Sequence, residues 1–162
     1  MHITAALTRR TIAVLGVTAA AMAGGVPAQA SDASLRKAVT QQEKKVAVVA
    51  EDFAKAREDV VSAVGRDHAL SAVTKLKSAV RRQRTAVVKE KATTSKVKRA
   101  RTQYLAAVDR FTTGLKTFDE GLEAFDPDAP AKAEGLFKKA ETQLKAAVTK
   151  REEARKVIVR RS

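Results

Sequence analysis

The sequence predicts an all-α protein, an antiparallel up-down bundle of about four long helices, and three observations carry that prediction. Apolar residues recur at alternating steps of four and three over most of the chain beyond position 34, the spacing that lines one side of a helix. Only three prolines occur in 162 residues, at positions 27, 127 and 130, so long stretches run without a helix breaker. Ala, Lys, Glu and Leu are abundant and period-two alternation is scarce, which leaves no segment that favours a sheet. The same class admits a second arrangement: three helices, with one very long middle helix that may be kinked.

Residues 1–30 read as a cleaved export signal. Arg9 and Arg10 supply a positive start, residues 11–25 are uncharged, and Ala28-Gln29-Ala30 is the small-x-small pattern that signal peptidase recognises. Thr8-Arg9-Arg10-Thr11-Ile12 also resembles a twin-arginine signal, so either export route fits. Residues 31–162 then form one domain, with no transmembrane span after signal cleavage. The expected localisation is secreted or extracytoplasmic, in association with the cell envelope.

The first helix is expected from about Ser34 to Val64, with Leu35, Val39, Gln42, Val46, Val49, Phe53, Ala56, Val60 and Ala63 on its seam. Ala47, Val48, Ala50 and Val61 widen that stripe beyond what one partner helix needs. Gly65 stands where a left-handed helix-ending residue would, and Asp67 is placed to cap the next helix. That second helix carries Leu70, Val73, Leu76, Val80 and Val87 before its apolar signal fades at Lys89.

Between Gly65 and Phe125 nothing forbids a continuous helix. The seam positions Glu90, Thr94 and Arg101 are polar, however, and the run Thr93-Thr94-Ser95 favours local side-chain bonds over a helix interior. A turn near residues 92–95 is therefore expected, and it yields four helices of similar length. Beyond it Tyr104, Val108, Phe111, Leu115, Phe118, Leu122 and Phe125 form a buried stripe, with Gly114 and Gly121 seven apart beside it, where a neighbouring helix or an apolar ligand could approach closely. The last helix follows the corner Asp126-Pro127-Asp128-Ala129-Pro130, with Asp126 or Asp128 as its cap. Ala133, Phe137, Ala140, Leu144, Ala147, Ala154 and Ile158 keep its phase.

The residue inventory argues against an enzyme and against a bound cofactor or metal. Cysteine is absent, and His68 is the one histidine beyond the signal, so zinc sites and nucleophile–base pairs lack their parts. Asp119, Glu120, Glu123, Asp126 and Asp128 lack the spacing of a calcium loop and read as solvated helix ends. The isolated glycines form no phosphate-cradling loop.

Charge is the informative feature. Without Arg9 and Arg10 the chain keeps 30 basic and 18 acidic side chains, a net of +12. The excess is zoned: residues 66–101 hold twelve basic and two acidic side chains, whereas residues 102–130 hold two basic and six acidic. In an up-down bundle the turn near 92–95 falls beside both chain ends, giving a rod with one positive tip. Arg81, Arg82, Arg84, Lys89, Lys91, Lys96, Lys98, Arg99, Arg101, Arg160 and Arg161 are the candidate polyanion-binding residues. The expected function is a non-enzymatic binding or structural module attached to anionic cell-envelope or extracellular polymers. An extracytoplasmic holdase-type chaperone or assembly protein is one alternative. Nucleic-acid binding through residues 81–101 is another, disfavoured by export and by the lack of aromatics for base stacking.

Overall fold

A computed structural model describes residues 30–160 and forms four helices: α1 Ala30–Ala56, α2 Ala63–Lys89, α3 Ser95–Glu123 and α4 Ala131–Val159. Residues 1–29 of the expected signal segment and Arg161 lie outside the described residues, while Ala30 opens α1. Each helix has 27 to 29 residues, about 40 Å at 1.5 Å per residue. Sequential helices pack side by side, and α4 returns against α1, so the four close an antiparallel bundle around one core. The arrangement with one long middle helix is excluded by the break between Lys89 and Ser95.

Three local devices place the corners. Asp32, in the first turn of α1, is almost buried and accepts hydrogen bonds from the Thr93 amide (2.7 Å) and the Thr94 hydroxyl (3.2 Å). Thr94 is also the N-cap of α3, its hydroxyl accepting from the Val97 amide. The hydroxyl run thus ends one helix and starts the next. At the other end of the bundle the expected boundary moves: α1 stops at Ala56, continues through a short 3-10 turn over Arg57–Asp59, and Ser62 caps α2 by accepting from the Gly65 amide at 2.9 Å.

Gly65 is therefore inside the first turn of α2, and Asp67 is an exposed residue there rather than its cap. The glycine is needed for closeness, because a Cβ would sit 1.6 Å from the Asp59 carbonyl oxygen. With the helix ended early, Val61 and Ala63 leave the expected stripe and are exposed, as is Val48 on α1. The last corner also differs. Asp126 accepts from the Asp128 amide at 2.9 Å, and Pro130 stands at the N-cap of α4 with no side-chain cap.

The core is the expected stripe, with Leu35, Val39, Val46, Val73, Leu76, Val80, Val108, Leu115 and Ile158 sealed from solvent. Phe53, Phe118 and Phe137 meet at ring separations of 5.0 and 5.1 Å, the first pair edge to face, so the aromatics fill the interior. Helices α3 and α4 approach most closely: a Cβ on Gly114 would lie 2.8 Å from Leu144 Cγ, and one on Gly121 2.7 Å from Phe137 Cε1. Buried Ala133, Ala140, Ala147 and Ala154 supply the matching small side chains on α4.

A polar chain crosses this core and takes one or more members from each helix. The Gln83 amide donates to the Tyr104 hydroxyl (2.8 Å), which donates to Glu43 Oε1 (3.0 Å). Arg155 Nε lies 2.5 Å from Glu43 Oε2, and Arg151 Nε 3.9 Å from Oε1. Arg151 also rests over the Phe111 ring, 5.5 Å from its centroid. Burial pushes the Glu43 carboxyl above its ordinary range, and the two guanidinium groups and Tyr104 offset that only in part. Burial, then the Glu43 charge, hold the Tyr104 hydroxyl well above its usual value, so it remains a donor.

The helix contact between α3 and α4 gives a paired prediction. Gly121→Ala should lower stability by about 1–3 kcal/mol, because the added methyl displaces a buried ring, despite the gain in helix propensity. Gly135→Ala meets nothing within 4 Å and should raise stability by up to about 1 kcal/mol. Urea-unfolding midpoints of the two variants check both signs.

Candidate functional site

The end of the bundle that carries the α2–α3 corner also carries the start of α1 and the finish of α4. Asp32 ties α1 to the corner, while Arg36 ties α1 to α4 by donating to the carbonyls of Ile158 and Arg160, each at 3.3 Å. The C-terminus of a helix exposes unpaired carbonyls with partial negative charge, so a guanidinium is a natural closure. Arg101 does the same for α2, donating to Val87 O (3.2 Å) and Val88 O (2.7 Å).

The candidate residues consequently divide. Lys89, Lys91, Lys96, Lys98 and Arg99 are exposed around the corner, and Arg160 is exposed beside them at the end of α4. Arg101 is half-buried and spends its donors on the end of α2, so it positions the corner. Arg84 is engaged by Asp109 of α3, with Nε 2.6 Å and Nη2 3.3 Å from the two carboxylate oxygens. Arg81 and Arg82 are exposed on α2 but sit about 12 Å along the helix from Lys89. The structure therefore brings six of the candidates to one end and leaves Arg81, Arg82 and Arg84 on the flank.

Sequence reasoning passed over Arg36, Lys37 and Lys156, which belong to the same end. Projecting the first turns of α1 and the last turns of α4 onto the predicted topology would have found them. Asp32 was missed as well; an acid in a first helical turn reads as a dipole partner, and nothing local signals a corner 61 residues away. Asp32 and Glu90 lie amid these cations, with Glu152 and Glu153 one turn before Lys156; Asp32 is consumed by its hydrogen bonds, and the two glutamates of α4 pair with Arg155 and Lys150. What remains is a lysine-rich surface of exposed side chains. Such a surface attracts phosphate or carboxylate groups through charge and counterion release, and it selects weakly among them.

The opposite end has the reverse character. Glu58, Asp67, Glu120, Glu123, Asp126 and Asp128 are exposed there, and Arg66 covers Phe125, 4.8 Å from the ring centroid. Asp119 forms an ion pair with Lys77 and is not part of a cation cage. Among the described residues no group of three or more His, Cys, Asp or Glu side chains is placed to hold a metal ion. His68 is exposed near the start of α2. No described helix is long and apolar enough to cross a membrane. Comparison with protein-family models, characterised proteins and solved structures finds no match for this chain.

Asp32 gives the corner a pH dependence. Burial would raise its carboxyl, but the hydrogen bonds from Thr93 and Thr94 together outweigh that and hold it below its ordinary value of 3.8. A carboxyl lowered by folding stabilises fully above its unfolded value and loses that contribution as pH falls through the folded one. Asp32→Asn should cost about 1–2 kcal/mol at neutral pH, the typical value of a lost cap. The difference from wild type should shrink as pH falls below the ordinary carboxylate range, as read from urea midpoints at neutral and at acid pH.

Proposed function

We propose that the protein is a non-enzymatic module of the extracytoplasmic space that attaches, through its basic end, to an anionic polymer of the cell envelope or extracellular matrix. The observation that supports it is the gathering of Lys89, Lys91, Lys96, Lys98, Arg99 and Arg160, from the α2–α3 corner and the finish of α4, onto one exposed end. A spread of the same charges along the rod would keep the protein soluble equally well. Concentrating them raises the local potential and matches a partner whose own charges are closely spaced.

Phosphate-bearing wall polymers, acidic glycans and anionic lipid headgroups share that chemistry. The export reading makes them the polyanions the chain meets, and nucleic acid a lesser one. Client holding in the manner of a chaperone uses broad apolar surface, whereas the large exposed apolar side chains of the described residues are four valines, Val48, Val61, Val64 and Val88.

Sedimentation of the purified protein with isolated cell walls, across a salt series, tests the proposal. Binding should fall steeply between about 50 and 200 mM salt. Changing Lys91, Lys96, Lys98 and Arg99 together to Gln should flatten the log–log salt slope by up to about 3 and leave helicity intact. The same four-charge change at Lys132, Lys138, Lys139 and Lys145, on the far part of α4, should have a much smaller effect. Equal losses from both sets would show that net charge alone governs binding and would overturn the assignment to the end.

A further inference from the structure

The end opposite the lysine-rich corner carries two features that the attachment reading leaves unused. Val61, in the turn between α1 and α2, and Val64, in the first turn of α2, are 54% and 81% exposed, a costly place for two large apolar side chains. The same end carries the exposed carboxylates of Glu58, Asp67, Glu120, Glu123, Asp126 and Asp128, which outnumber its exposed lysines Lys55, Lys116 and Lys132. We propose that a second copy of this chain covers this end, its lysine-rich end docking on the valine tip and acidic rim so that copies associate head to tail.

Charge complementarity selects that occupant. Two rods with a net of +12 repel when they lie side by side in parallel, because equivalent basic ends then face each other, and an antiparallel pair leaves Val61 and Val64 of both copies uncovered. End to end, the cations of one copy meet carboxylates of the next. The ends are about 40 Å apart, and the Debye length is about 8–10 Å near physiological ionic strength, so an incoming basic end responds to the acidic end it approaches and not to the distant basic one. At about 10 mM salt the length grows to about 30 Å and the net repulsion is felt as well. The lysine stems can lie over Val61 and Val64 while their ammonium groups reach the rim, and Val88, 44% exposed beside Lys89, adds apolar surface on the docking side.

The contact is weak by size. A four-helix cross-section of about 20 Å on a side offers about 400 Å² per copy, about 800 Å² in all, below the total of about 1,200 Å² that stable interfaces bury. The two faces differ, so the contact is heterologous and adds copies without closing a dimer. A polyanion on the basic end competes for the same cations, which makes free single rods and polymer-bound rods mutually distinguishable from the chain-like form. The inference shares the basic end with the attachment reading and does not depend on it.

Charge reversal tests it. One variant reverses the acidic end (Glu58→Lys, Asp67→Lys, Glu123→Lys, Asp128→Lys), and the other reverses the basic end (Lys91→Glu, Lys96→Glu, Lys98→Glu, Arg99→Glu). In sedimentation velocity at high protein concentration, the wild type should associate most near 100 mM salt and less at 10 mM and 500 mM. Each variant alone should associate at least about tenfold more weakly, since like charges then face each other. Mixing the two in equal amounts should restore association to the wild-type level or above. Val61→Ser with Val64→Ser, which leaves every charge in place, should weaken wild-type association several-fold. The acid-end variant should still bind cell walls, so loss of self-association and loss of attachment are read separately. A wild type that stays monomeric at every salt concentration, a single variant that associates like wild type, or a mixture that fails to associate while both variants keep native helicity would overturn the proposal.

Discussion

Glu43 can stay ionised in the interior only where α4 delivers Arg151 and Arg155 to it and α3 delivers the Tyr104 hydroxyl. Hydrophobic seams do not impose such a condition. Valine, leucine and alanine at heptad spacing are nearly as content one turn along, because apolar burial is non-directional. The polar chain from Gln83 through Tyr104 to Glu43 and the two arginines is directional, and it has members on all four helices. Sliding any helix by a turn would leave a charge or a donor unpaired in the core, a loss of about 3–5 kcal/mol for a broken buried ion pair. The axial register of the bundle therefore follows from one cluster, placed in the half nearer the α2–α3 corner.

That register decides what the ends look like. With the four helices held level, the first turn of α1, the α2–α3 corner and the last turn of α4 arrive at one height, close enough for Asp32 to reach Thr93 and for Arg36 to reach Ile158 and Arg160. Some cations at this end close helix C-termini, and the rest have no such duty. Arg36 and Arg101 replace the missing donors of α4 and α2, while Lys89, Lys91, Lys96, Lys98 and Arg99 point outward around them. Charge composition alone cannot make this division, since it depends on which carbonyls lie within reach.

Much of the fold was legible because it rests on short-range rules. The seam from Tyr104 to Leu122, the alanine-lined face of α4 and the corner after Thr93 and Thr94 follow from spacing and capping chemistry. The first corner did not, because the periodic pattern runs on through Val60 and Ala63 after the helix has stopped. Gly65 was read as a helix end from its residue type, yet its reason is a backbone contact with Asp59 that no sequence pattern encodes. The polar cluster was hidden for a similar reason. Gln42 fits the apolar phase, but Glu43, one position on, is the residue that reaches Tyr104, and heptad spacing does not mark it. The basic end was visible as a run of charge, and only the fold could add Arg36, Lys37 and Lys156 or withdraw Arg84 and Arg101.

Gathering like charges at one end has an internal cost that bears on function. Neighbouring ammonium groups about 8 Å apart in water repel by about 0.5 kcal/mol per pair, and the corner holds several such pairs. The supporting core is thin there, because past Val87 the chain turns through 90–94 with Ala92 and Val97 only partly buried. The Asp32 bonds and the Arg101 closure hold the corner against that repulsion. An anion seated on the lysines removes the repulsion, so binding and the stability of this end are linked, each strengthening the other. The opposite end needs no such relief, since its carboxylates sit beside Arg66 and Lys116 and above the packed rings of Phe53, Phe118 and Phe137. The rod thus joins an acidic end packed over the rings of Phe53, Phe118 and Phe137 to a basic end where like charges crowd one corner.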